Sequence, residues 1–224
     1  MLERLELLVG KENLDKLRNS TVLVIGIGGV GGYAVESLAR SGIGSLSLVD
    51  PDVVEKTNIN RQIVALTSTI GKYKVDVAKE RIQDIGLDTD VRIVKDFVTE
   101  ENIEDYLEGV DFVIDACDTL LAKLAIIKAC KKKDISFISC MGTGNKMDPT
   151  KFCIMDLSKT SYDPLAKRLR KLVRDSNIEG AIPVVVSTEM KKVDVKDTIP
   201  SNAFVPGVAG MICASYVINK LISR

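Results

Sequence analysis

Short runs of almost unbroken apolar residues alternate with helical patterns over the first 140 positions. Residues 21–26 (TVLVIG), 45–50 (SLSLVD), 111–116 (DFVIDA) and 135–140 (ISFISC) have the length and β-branched content of strands buried on both faces, and 91–95 adds another. Between them the 3.6-residue period predicts helices over 30–41, 71–85, 101–107 and 119–132. Strand–helix alternation with apolar strands predicts an α/β, Rossmann-like fold, a mostly parallel sheet with helices on both faces. Such sheets bind ligands beyond the carboxyl ends of their strands.

The rhythm changes after about residue 141, where MGTGNKMDP forms a turn-rich crossing. Strands are expected at 152–157 and 183–187, with a helix over 165–173 between them and a closing helix over 206–221. No long linker interrupts the chain, so the expectation is one domain: a nucleotide-binding core over 1–140 and a C-terminal α/β elaboration over 141–224. Positions 199–219 carry no charge, but Pro200, Asn202, Pro206, Gly207, Gly210 and Asn219 interrupt them. This favours a buried helix over a membrane span.

Composition narrows the chemistry. The 224 residues contain no histidine, which excludes Ser-His-Asp and Cys-His catalysis and an imidazole base. Cys117, Cys130, Cys140, Cys153 and Cys213 are odd in number and form no C-x-x-C pair, which argues against a disulfide framework or a thiolate zinc site and fits a cytoplasmic location. Lys plus Arg and Asp plus Glu are each 31, so a polyanionic partner would need a local basic patch. Lys167, Arg168, Arg170, Lys171 and Arg174 provide one on the 165–173 helix, opposite Leu165, Leu169, Leu172 and Val173, and Lys131–Lys133 form a second candidate.

Gly26-Ile27-Gly28-Gly29-Val30-Gly31 matches G-x-G-x-x-G at a strand-to-helix turn, where glycines let backbone amides approach phosphate and the helix offers its positive end. Asp50 ends the next strand, where an acid reaches ribose hydroxyls. These features predict an adenine nucleotide without separating ATP from NAD. Arg61, Lys74 and Asp118 tip the balance. A dehydrogenase does not need two cations and a further acid near the phosphates; attack on an α-phosphate does, with Arg61 and Lys74 as the catalytic cations and Asp118 as the acid holding Mg2+. A nicotinamide dehydrogenase or a non-catalytic nucleotide-binding regulator is the alternative from another class.

The set GIGGVGG, LVDPD, TNINRQ, GKYK and DACD resembles the ubiquitin-activating-type adenylation fold, which includes the thiamin- and molybdopterin-biosynthesis adenylyltransferases. The resemblance implies that the loop glycines bind ATP, that Asp50 binds ribose, that Asn58 and Arg61, within a segment ending at Gln62, contact phosphates with Lys74, and that Asp118 binds the metal. Arg4 resembles an arginine that reaches the neighbouring subunit's ATP, implying a homodimer. The second half, from DPTKFCIMDLSKTSYDPLAKRLRKLVRDSNI to SNAFVPGVAGMICASYVINKLI, is similar to the tRNA threonylcarbamoyladenosine dehydratases. That family implies ATP-driven activation of the threonylcarbamoyl carboxylate on a tRNA adenosine, followed by ring closure with loss of AMP. It implies a tRNA partner, and a sulfur-relay protein is a further expected partner. The alternative within the same fold is an adenylyltransferase for a ubiquitin-like sulfur carrier. A monovalent cation, Na+ or K+, is a further expected ligand, for carbonyls of residues 141–149.

Overall fold

The computed structural model describes residues 1–194 and 198–223. Seven strands form one sheet: β1 (Thr21–Ile25), β2 (Ser45–Val49), β3 (Asp90–Val94), β4 (Phe112–Asp115), β5 (Ser136–Cys140), β6 (Phe152–Asp156) and β7 (Pro183–Ser187), in the order β3-β2-β1-β4-β5-β7-β6. All neighbours are parallel except β6 and β7. The order reverses between β1 and β4, the point beyond whose carboxyl ends sheets of this kind bind their ligands.

The two-residue period of the strands divides their side chains between two cores. Val22, Val24, Leu46, Leu48, Phe112, Ile114 and Ile138 face α3 (Gly31–Arg40), α4 (Lys74–Ile85) and α8 (Val205–Ile222). Leu23, Ile25, Val113, Phe137 and Val184 face α5 (Ile103–Tyr106), α6 (Leu120–Lys132) and α7 (Pro164–Asp175). This is the expected helix-covered sheet. The C-terminal elaboration extends that sheet through β7 and β6, and α8 returns to the first core.

Helix α8 is long and apolar enough to cross a membrane by length and composition, yet half of it is buried in the protein. Ala209, Cys213, Ala214 and Val217 are fully enclosed in the first core. Its lack of charge therefore reflects core packing.

Two local expectations change. The helix predicted from residue 71 begins at Lys74. An isolated bridge pairs Val53 with Tyr73, and the Lys74 N–H donates to the Asp52 carbonyl, so residues 71–73 stay extended or turned. Two N-terminal helices, α1 (Glu3–Val9) and α2 (Lys11–Arg18), had no counterpart in the hydrophobic pattern. Helix α2 buries only Leu14 and Leu17, and α1 buries nothing.

Candidate functional site

The glycine loop leaves β1 at the point where the strand order reverses. Gly26 has φ +87°, and a Cβ there would stand 2.8 Å from the backbone of Ala116 and Cys117, so the turn after β4 lies directly against the loop. At Gly31 a Cβ would lie 1.7 Å from the Gly26 carbonyl oxygen. Gly31 thus serves the close approach of helix to loop, and the open part of the loop is at Gly28, where the nearest group to a Cβ is the Gln62 amide nitrogen at 3.7 Å. Gly29 is backed by Pro206 and the Arg61 side chain.

Asp50 follows β2 and is buried. Its Oδ2 accepts the Ile27 N–H at 2.6 Å and its Oδ1 the Asp52 N–H at 2.8 Å, tying it to the glycine loop. Burial raises its pKa above the usual carboxylate value, against the pull of Lys74. Lys74 is also buried, 2.6 Å from Asp52 Oδ2 and 3.9 Å from Asp50 Oδ1. The structure therefore places this cation between two carboxylates at the end of β2, where a phosphate would compete with Asp52.

Arg61 is half-buried beside Gly29, and its Nη1 donates to the Thr57 carbonyl and to Asn60 Oδ1. Its Nε and Nη2 have no protein partner among the described residues. Asn58 is buried, and its Oδ1 accepts the Glu55 N–H at 3.0 Å, closing a capping box over residues 56–58. Gln62 is buried too, and its Oε1 finds no hydrogen-bond partner among the described residues. A buried acceptor left unpaired carries a desolvation penalty of about 1–3 kcal/mol.

Asp118 ends the turn after β4 and is exposed, with Thr119 Oγ1 at 3.4 Å. The described residues contain no cluster of three metal-ligating side chains. A lone exposed carboxylate on the turn that backs the glycine loop fits Mg2+, which usually takes one or two protein carboxylates and completes its shell with phosphate and water. Cys117 does not fit a nucleophile's part, because burial, aided by the neighbouring Asp115 carboxylate, pushes its thiol pKa well up.

The structure thus brings Gly26, Gly28, Gly29, Gly31, Asp50, Asn58, Arg61, Gln62, Lys74 and Asp118 to one end of the sheet. Arg4 stands apart on exposed α1. The hydrophobic pattern gave no sign of a buried pair beneath the site, Lys123 with Asp115. Lys123 reads as one more helix cation, and only a charged residue at a helix position otherwise facing the core could have betrayed it.

The expected basic patches are smaller than their sequence. Arg170 is half-buried and donates to the Thr160 carbonyl and hydroxyl, so it holds α7 in place. Lys167, Arg168, Lys171 and Arg174 remain exposed. In the second patch Lys131 donates to the Ala181 carbonyl, while Lys132 and Lys133 face Glu104 at 2.6 and 3.9 Å. This patch is spent on internal contacts.

Comparison with known proteins agrees with this arrangement. The ThiF family model matches residues 2–224. The tRNA threonylcarbamoyladenosine dehydratase of Bacillus subtilis (strain 168) is 46% identical over 237 residues, covering 98% of this chain and 93% of that protein. Its namesake in Escherichia coli (strain K12) is 34% identical over 245 residues, covering 97% of this chain and 91% of that protein. The crystal structure of the E. coli dehydratase TcdA in complex with ATP superposes with a TM-score of 0.94 at 36% identity, covering 99% of this chain and 93% of that one. With its sheet order, its glycine loop at the reversal of that order, and this likeness along nearly its whole length, the chain belongs to the ThiF family and, within it, to the tRNA threonylcarbamoyladenosine dehydratases.

Proposed function

We propose that this protein dehydrates threonylcarbamoyladenosine in tRNA at the expense of ATP, through an acyl-adenylate. The observation that carries the reading is the convergence of the glycine loop, Asp50, Arg61 and Asp118 at the carboxyl ends of β1, β2 and β4, with Asp50 bonded to the Ile27 N–H, Arg61 against Gly29 and the turn after β4 against Gly26. The threonylcarbamoyl carboxylate attacks the α-phosphorus, forming a C–O–P linkage as the bond to pyrophosphate breaks. A nitrogen or oxygen of the same modification then attacks the activated carbonyl carbon and AMP leaves, so the net change is loss of one water. Ring closure within one substrate gains effective molarity, which explains why a chain without histidine suffices.

In this reading the loop amides and the α3 N-terminus hold phosphate, Asp50 orients ribose, and Arg61, with Asn58 and Lys74, neutralises charge gathering on the departing oxygens. Asp118 would hold Mg2+, which supplies further charge neutralisation when bound. A monovalent cation on carbonyls of the 141–149 turn would share it with the Lys146 ammonium, which is buried there and donates to the Glu189 carbonyl; the Asn145 and Lys146 carbonyls each accept one hydrogen bond, from the Lys192 N–H and the Asn202 amide, which leaves each a second lone pair. We derive no step through such an ion. Incubation with threonylcarbamoylated tRNA, ATP and Mg2+ should shift the modified nucleoside down by the mass of one water. Pyrophosphate release without that tRNA, but with a small carrier protein ending in Gly-Gly, would overturn the reading.

We place the enzyme in the cytoplasm, with residues 1–140 as the nucleotide-binding core and 141–224 supplying the tRNA contact and helping to complete a dimer. The exposed face of α7 is the tRNA-docking surface. Reversing Lys167, Arg168 and Lys171 to glutamate should weaken tRNA binding about tenfold or more at moderate salt and flatten its salt dependence, leaving ATP affinity unchanged. Filter binding across a salt series reads both effects.

We further propose a homodimer in which Arg4 completes the partner's site. Leu7 and Leu8 on the same helix are 88% and 81% exposed, an apolar face suited to burial against a second copy. Arg4→Ala and Asp118→Ala should each be inactive. Mixed and re-equilibrated, they should recover about one quarter of wild-type turnover, because half the dimers then hold one intact site. No recovery would place Arg4 outside the neighbouring site.

A further inference from the structure

Beneath the turn that carries Asp118 lies an ion pair that the reaction above does not use. Lys123 of α6 reaches Asp115 at the end of β4, with Nζ 3.0 Å from both carboxylate oxygens and neither side chain exposed. The same ammonium donates to Ser139 Oγ at 3.2 Å and to the Cys140 carbonyl at 2.8 Å, at the end of β5. Ser139 Oγ in turn donates to Asp115 Oδ2. Each ammonium proton therefore has an acceptor, and one side chain ties together the carboxyl ends of two adjacent strands.

Stability alone does not call for this arrangement, since well-packed apolar side chains often serve as well or better than a buried ion pair. The polar pair does something apolar side chains cannot. Asp115 Oδ1 also accepts the Cys117 N–H at 3.2 Å and the Cys117 thiol at 3.0 Å, which shapes the turn leading to Asp118. That turn is the surface on which Gly26 rests. Burial works against the charge on Lys123, but the Asp115 carboxylate, together with the Cys117 and Cys140 thiols beside it, holds the ammonium pKa above its ordinary value.

We propose that Lys123, with Asp115 and Ser139, is a positioning device that fixes the 115–118 turn so that Asp118 meets metal-bound triphosphate in one geometry. The proposal rests on the reading of Asp118 as the metal-binding acid. Lys123 touches no phosphate and acts through the turn. Partners of this kind around a metal ligand typically change metal affinity or activity about 10–100-fold when removed.

Removing Lys123 alone would leave a buried carboxylate unpaired and endanger the fold. The main variant is therefore the double replacement Asp115→Leu with Lys123→Met, and Ser139→Ala is a milder probe. Calorimetry with a non-hydrolysable ATP analogue, with and without Mg2+, separates nucleotide binding from metal binding, and thermal melting reports the fold. The double variant should melt cooperatively and bind the analogue without Mg2+ within about threefold of wild type, but lose about tenfold or more of the affinity that Mg2+ adds. Its kcat for pyrophosphate release should fall about 100-fold with little change in KM for ATP, and Ser139→Ala should shift both readouts the same way by a few fold. A folded double variant, or Ser139→Ala, with the wild-type gain from Mg2+ and wild-type turnover would overturn the proposal; if the double variant fails to fold, Ser139→Ala decides. Asp118→Ala is run in parallel, and an intact Mg2+ gain there would overturn the metal reading beneath it.

Discussion

Arg61→Ala is expected to lower pyrophosphate release about 10²–10³-fold, and Asp118→Ala at least as far, with both proteins melting close to wild type. The loss is large because charge moves onto phosphate oxygens as the α-phosphorus is attacked, and a preorganised cation there contributes about 2.7–4 kcal/mol to the transition state. The fold should be spared because neither side chain is part of a core. Among the described residues, Asp118 is exposed with one weak contact, to Thr119, and Arg61 hydrogen-bonds within its own turn, to Thr57 and Asn60. Single-turnover release of pyrophosphate from threonylcarbamoylated tRNA, alongside thermal melts, measures both halves of the expectation. Near-full turnover in both variants would remove the nucleotidyl-transfer mechanism.

Gly31→Ala should act in the opposite sense, through the fold. The added methyl would stand 1.7 Å from the Gly26 carbonyl oxygen and 3.3 Å from the Ala116 Cβ, among backbone atoms that cannot swing aside. Helix α3 would have to retreat from β1, opening the first core at Ala34, Val35 and Leu38. Overpacking of this kind costs about 3 kcal/mol or more, a fall in Tm of roughly 6–12 °C for a chain of this size. ATP affinity should fall with it, because the loop and the α3 N-terminus move together. Gly28→Ala is the contrast. A methyl there meets nothing nearer than the Gln62 amide at 3.7 Å, so Tm should hold while nucleotide binding weakens. Calorimetric melts of the pair, each with and without ATP, separate the glycine packed against backbone from the one left open.

That contrast shows how far a motif can be read. The G-x-G-x-x-G spacing located the loop, and its place between a strand and a helix followed from periodicity. Which glycine faces the ligand depends on what lies opposite each one, and those atoms come from residues 61–62, 116–117 and 206. The basic helix teaches the same lesson. Its amphipathic spacing was legible, with Leu169 buried as expected, but Arg170 lies close enough to Thr160 to bond it and is withdrawn from the surface. Lys131, Lys132 and Lys133 read as a free cationic run because Ala181 and Glu104 are distant in sequence.

Local order was therefore in the sequence: strand and helix periods, the glycine loop, the acids at strand ends, the absence of an imidazole, and the motif set that marks the family. These depend on side-chain type and near-neighbour spacing, which the chain states directly. Tertiary structure alone decided the antiparallel pairing of β6 with β7, the placing of Lys74 between Asp50 and Asp52, the unpaired Gln62 oxygen and the Lys123–Asp115–Ser139 lock. Each joins residues that only the assembled sheet brings within bonding distance, and a charge shows whether it faces solvent, ligand or an opposite charge only once its surroundings have closed around it.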